Sequence, residues 1–131
     1  MKRDSMKRDY AAMRRVLEVV ARAKRPVGYN ALRSSVQATD IAYEAKRLKD
    51  DGLIECTMAF NVFGEYEGGE IGGLTDEGRE FYNLVAKGDA WAIMLETLEA
   101  ADVNIPYPLL KEVCMEIVKR YVTSFIPEIR R

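Results

Sequence analysis

From Met13 onward the apolar positions Met13, Val16, Leu17 and Val20 recur at intervals of three and four, with arginines and a glutamate between them. That is the spacing of one helical face. Asp9 is placed to cap this helix, and Lys24 is the last residue at the same spacing, so the pattern predicts a first helix from Tyr10 to Lys24. Pro26 and Gly28 then stop it. Asn30 is a candidate cap for a short second helix, Ala31 to Val36, with Leu32 and Val36 facing inward. After a break at Gln37 and Ala38, Thr39 can cap a third helix over residues 39 to 50, with Ile41, Ala42, Ala45 and Leu48 on its inner face. Gly52 is placed to end it in a left-handed turn.

The pattern changes after Gly52. Residues Leu53 to Phe60 are apolar and rich in β-favouring types, residues 61 to 69 hold three glycines, and Glu70 to Leu74 can return as the second strand of a hairpin. Three helices followed by a hairpin is the order of a winged helix-turn-helix, here over residues 29 to 75. Thr75 caps a fourth helix to about Lys87, along which Leu74, Gly78, Phe81 and Val85 stack. Glycine costs a helix about 1 kcal/mol relative to alanine, so Gly78 points to a close backbone approach. Gly88 ends that helix and Asp89 can cap the next, whose stripe is Trp91, Met94, Leu95 and Leu98 up to Asp102. Pro106 and Pro108 open a last helix carrying Leu110, Val113, Cys114, Ile117 and Tyr121, and Pro127 closes it. The expected fold class is α+β and mostly helical. It comprises a winged-helix domain with a two-stranded wing, residues 1 to 87, and a C-terminal helical extension, residues 88 to 131, packed on it or forming a dimer interface.

With 48% hydrophobic and 31% charged residues in 131, the chain falls in the ordinary folded range. The charged start Met1-Lys2-Arg3-Asp4, repeated at residues 6 to 9 and given no function, is not followed by the apolar run of a signal peptide or membrane span. A cytoplasmic location is therefore expected, with Cys56 and Cys114 reduced. The sequence contains no histidine and no paired cysteines, so no metal site or cofactor is expected. No nucleophile–base pair or phosphate-binding glycine loop can be picked out, and glycines 64, 68, 69, 72 and 73 read as turn residues; the expectation is a non-enzyme.

Charge divides the chain. Residues 1 to 50 hold 13 Lys and Arg against 6 Asp and Glu, a net +7, whereas residues 51 to 131 have a net −8. On the third helix the stripe opposite the core reads Asp40, Tyr43, Glu44 and Arg47, flanked by Thr39, Lys46 and Lys49. In helix-turn-helix proteins such a stripe enters the major groove. A solvated helix face is the competing reading, because Asp40 and Glu44 make the stripe chemically mixed. Lys7, Arg8, Arg14, Arg15, Arg22, Lys24, Arg25 and Arg33 are further candidates for phosphate contacts, or simply the wet face of the first helix. The wing opposes DNA: Glu55, Glu65, Glu67 and Glu70 are acidic and nothing between Leu53 and Asp76 is basic. Phe63 and Tyr66 at its tip read as packing or protein-contact residues.

The start Met-Lys-Arg-Asp, the segment Leu48-Lys-Asp-Asp-Gly-Leu-Ile54, the run Leu74-Thr-Asp-Glu-Gly78 and Trp91 together resemble a family of small bacterial and phage proteins of unknown function, similar to the YjcQ-like winged-helix proteins. The resemblance spans roughly residues 6 to 120. It implies a winged helix of bacterial or prophage origin without enzymatic activity, and transfers no site residues. Two functions are expected from the sequence. The first is a transcriptional regulator binding double-stranded DNA through Thr39, Asp40, Tyr43, Glu44, Lys46, Arg47, Lys49 and Arg33, as a homodimer that spaces two third helices. The second is a protein-interaction module that uses the same scaffold without DNA.

Overall fold

The first helix, α1 (Tyr10–Arg22), starts where the sequence predicts: the Asp9 carboxylate accepts from the Ala12 N–H at 3.0 Å. It buries Met13, Val16, Leu17 and Val20, joined by Tyr10 and Ala12. Each of Met13, Val16, Leu17 and Val20 contributes about 1.5–3 kcal/mol by its burial. The helix ends two residues early, with Ala23 already extended, and Lys24 is exposed. The computed structural model describes residues 8–36, 41–101 and 105–123.

Between α1 and the second helix lies a strand that the periodicity did not reveal, β1 (Val27–Gly28). The second helix, α2 (Tyr29–Ser35), follows directly with Gly28 at its cap position. Asn30 therefore sits inside it and is no cap; its carbonyl accepts from the Ser34 hydroxyl. The third helix, α3 (Ile41–Asp50), ends as expected, with Gly52 left-handed at φ 78°. The Leu53 N–H donates to the Leu48 carbonyl and the Gly52 N–H to the Lys49 carbonyl, the paired bonds of a Schellman motif, and Leu48 and Leu53 are both fully buried beside them. The Thr39 cap, Asp40 and the Met-Lys-Arg-Asp repeat up to Lys7 fall outside the described residues.

The expected two-stranded wing is more elaborate. The run Leu53 to Phe60 divides into β2 (Ile54–Cys56) and β3 (Ala59–Phe60), and part of the expected loop returns as β4 (Tyr66–Gly68) before β5 (Glu70–Leu74). Strand β5 is central in an antiparallel sheet ordered β1-β5-β2, while β3 and β4 form a separate two-stranded hairpin. Val27 pairs with Ile71 and Ile54 with Leu74, and the central strand β5 lies against α1. Among the described residues the protein is thus mostly helical with small antiparallel sheets, an α+β arrangement.

The fourth helix, α4 (Asp76–Val85), is capped by Thr75, whose hydroxyl accepts from the Gly78 N–H at 2.9 Å and donates to the Gly52 carbonyl at 2.6 Å. The close approach foreseen at Gly78 is real: a Cβ there would stand 1.8 Å from the Leu53 carbonyl oxygen. The chain divides into two compact units, Met1–Tyr82 and Asn83–Arg131, with the boundary inside α4. In the second unit α5 (Gly88–Ala101) packs on α6 (Tyr107–Thr123). Its core is Val85, Ala90, Trp91, Met94, Leu98, Ile105, Leu110 and Cys114. Gly88 begins α5 instead of closing α4, so Asp89 lies in the first turn; its carboxylate accepts from the Tyr121 hydroxyl at 3.0 Å. Pro127 lies outside the described residues.

Candidate functional site

The structure divides the residues proposed for the α3 surface. Ile41, Ala42, Ala45 and Leu48 are buried as expected. Tyr43 and Glu44, expected to face outward, are also buried, with 4% and 2% of their surfaces exposed. Glu44 follows Ile41 by three residues and precedes Leu48 by four, which places it beside the inner face. Its charge, not its position, had set it outside. Its carboxylate faces the Arg8 guanidinium at 3.9 Å and accepts a long hydrogen bond from the Asp9 N–H at 3.5 Å.

Arg8 is correspondingly not a phosphate contact. It is 2% exposed and donates to the Asp51 carboxylate at 2.8 Å, so one buried guanidinium joins the start of α1 to the body and the end of α3. Burial pushes the Glu44 carboxyl from the usual 4.5 up to about 7; the Arg8 charge and the Asp9 N–H pull it down without cancelling that penalty.

What remains outward is basic but partly engaged. Lys46 is ion-paired with Asp50 at 2.8 Å on the same helix. Arg47 donates to the Tyr43 hydroxyl at 3.1 Å with its guanidinium 5.7 Å from the ring centroid. Lys49 is exposed. On α2, Arg33 lies 5.8 Å over the Tyr29 ring. Along α1, Arg15 pairs with Glu18 and donates to the Ser35 carbonyl, and Arg22 also approaches Glu18. Exposed Lys24, Arg25 and Arg79, with Glu55, border a cleft of about 290 Å³ floored by Gly72 and Gly73.

The β3–β4 hairpin carries Tyr66 and Phe63, which the sequence offers as packing or protein-contact residues, together with an Asn61-centred turn that its patterning does not reveal. Tyr66 stacks on Tyr29 of α2 at 4.9 Å and Phe60 meets the same ring edge-on at 5.4 Å, so three aromatic rings fix the hairpin to α2. Its tip is built on Asn61, whose side-chain oxygen accepts from the N–H groups of Phe63 and Glu65, both at 2.9 Å, while its amide group donates to the Glu65 carboxylate. The Gly64 N–H closes the turn on the Asn61 carbonyl. The ordered turn presents Val62 and Phe63 to solvent, 94% and 84% exposed. The bonding of Asn61 is a side-chain-organised turn, which the sequence signals only as Asn and Gly three residues apart.

Beside this tip, between α3 and strands β2 and β3, lies a cleft of about 300 Å³. Ala42, Ala45, Cys56, Met58 and Phe60 supply its apolar lining, and Lys46, Lys49, Asp50 and Asn61 its polar edge. Cys56 is a half-buried free thiol; Cys114, in the other unit, is buried, and burial pushes its thiol up to about 12. No group of three or more His, Cys, Asp or Glu side chains among the described residues is arranged to hold a metal ion. No helix among them is long and apolar enough to cross a membrane. Comparison of the chain with protein-family models, curated proteins and solved structures gives no match in any of the three.

Proposed function

We propose that residues 8 to 82 are a winged-helix scaffold whose function is to bind another protein. The element order α1-β1-α2-α3-β2, then hairpin, then β5, supports the winged-helix reading. The observation that carries the function is the hairpin tip, where two adjacent large apolar side chains stand almost fully in solvent on a hydrogen-bonded turn. Single exposed apolar residues are ordinary surface. Holding two together on an ordered projection pre-organises a contact, because little entropy remains to be lost when it docks. The flanking Glu65, Glu67 and Glu70 disfavour a phosphate backbone and suit a partner with basic groups around an apolar recess.

The test is site-specific photo-crosslinking with benzoylphenylalanine introduced at Phe63, in the cells that make the protein. A discrete protein adduct, absent when the probe is placed at Glu112 on α6, is the expected result; no adduct at Phe63 overturns the reading.

The basic edge of α2 and α3 favours DNA as a second reading. Arg33, Lys46, Arg47 and Lys49 lie along it, in the half of the chain with net charge +7. On this reading they contact phosphates, since the buried Tyr43 and Glu44 are withdrawn from base edges. Duplex titration at low salt separates the two readings.

A further inference from the structure

We infer that the partner is a second copy of this chain, the hairpin tip of each protomer entering the α3–β2–β3 cleft of the other. The inference rests on the protein-binding reading above and names its occupant. Volume permits it: a cavity of about 150 Å³ admits a benzene ring, so a cleft of about 300 Å³ has room for an isopropyl and a benzyl group, the side chains of Val62 and Phe63. The chemistry matches as well. The cleft is lined with Ala42, Ala45, Met58 and Phe60, an apolar surface with a thioether adaptable to an aromatic ring.

Charge supplies the third argument. The tip is followed by Glu65 and Glu67, while Lys46 and Lys49 stand at the edge of the cleft against one carboxylate, Asp50, which Lys46 already neutralises. Lys49 is thus left to face an incoming glutamate. Placement is the fourth. Asn61 both builds the tip turn and lines the cleft, so the projecting and receiving surfaces are neighbours on one face of the molecule. A patch carrying its own complement side by side is what a two-fold axis requires: tip meets cleft twice, and the assembly closes at two. Two small reciprocal contacts bury less than a standard interface, so the dimer is weak, with Kd on the order of micromolar.

Sedimentation velocity over a concentration series tests this on the full chain. The wild-type protein is expected to shift from monomer to dimer, and V62S/F63S to raise Kd about tenfold or more, the size of effect expected for central apolar anchors. These two residues are solvent-exposed, so folding is retained. K46E/K49E and E65K/E67K each weaken the dimer, and the chain carrying all four reversals regains it to within about threefold, an outcome that only direct pairing of the two surfaces produces. In parallel, labelling of the Cys56 thiol slows as protein concentration rises, because the docked tip covers the cleft. A chain that stays monomeric throughout overturns the inference. So does a dimer indifferent to V62S/F63S but lost when the exposed Ile93, Leu109 and Met115 of the second unit are replaced by serine. A Phe63 adduct to a different protein, with no self-adduct, sustains protein binding and overturns self-pairing.

Discussion

A methyl group at position 78 has nowhere to go. Its carbon would lie 1.8 Å from the Leu53 carbonyl oxygen, which accepts the Thr75 N–H at 3.1 Å, so backbone and not a flexible side chain must yield. Gly78→Ala gains about 1 kcal/mol of helix propensity but forces α4 away from β2. A net loss of about 2–3 kcal/mol is expected in chemical denaturation; a stabilised variant would contradict the packing. Glu44 makes a prediction about pH. Its folded carboxyl, at about 7, holds its proton more tightly than the unfolded 4.5. As pH rises from 4.5 to 7 the unfolded chain has released the proton while the folded one still keeps it, so stability falls through that window and levels off above it. The full drop is about 3 kcal/mol. Glu44→Gln removes the titration, so its denaturation free energy should stay flat between pH 5 and 8 where the wild type declines. Arg8 acts in the opposite sense: with it gone, Glu44 loses its nearest cation, and Arg8→Ala is expected to cost about 3 kcal/mol at pH 8 and less at pH 5, where Glu44 is protonated.

The hairpin illustrates what an element can do that its residues cannot do separately. Val62 and Phe63 stay together because Asn61 accepts two backbone N–H groups, not because they pack on anything. Asn61→Ala should leave the melting temperature within a few degrees of wild type, since an exposed turn contributes little to global stability, yet weaken self-association about tenfold by releasing the tip. An unchanged dimer constant would show that the turn does not pre-organise the contact. Elements of this molecule were legible in the sequence where their determinants are local. Asp9 and Thr75 cap the helices they precede, and Gly52 closes α3 within five residues of Leu48. They were illegible where the partner is distant. The two residues of β1 have no periodicity, and only pairing with Ile71 and Glu70 makes them a strand. The run from Leu53 to Phe60 looked continuous because nothing in it reveals that Thr57, bonded to Glu70, separates the central sheet from the hairpin. The candidate site follows the same division. Lys46 and Lys49 stand exposed on α3 as expected, whereas Glu44 was misplaced because Arg8, which draws it inward, lies 36 positions earlier in the chain.

Across the whole molecule the two charge halves do not become two simple surfaces. Of the 13 Lys and Arg in residues 1 to 50, four are ion-paired within the described residues: Arg8 with Glu44 and Asp51, Arg15 and Arg22 with Glu18, Lys46 with Asp50. This limits what DNA can gain, and it makes the two functional readings quantitatively distinct. Each phosphate neutralised contributes about −0.9 to the slope of log K against log salt. If Arg33, Arg47 and Lys49 were the phosphate contacts, the slope would be about −3, and Lys46 would add little unless it left Asp50. Binding by so few phosphate contacts sits at the weak end of the non-specific range, about 10⁻⁴ M at physiological salt. On the protein-binding reading, a fluorescent duplex titrated at about 50 mM salt shows no saturable isotherm in the range where the chain self-associates. Raising the salt then weakens the dimer only modestly, because Val62 and Phe63 carry most of the contact and screening acts on the lysine–glutamate edge alone. A duplex isotherm with a slope steeper than about −5 would require the α1 cations as well, and would move the function from the hairpin tip to the basic helices.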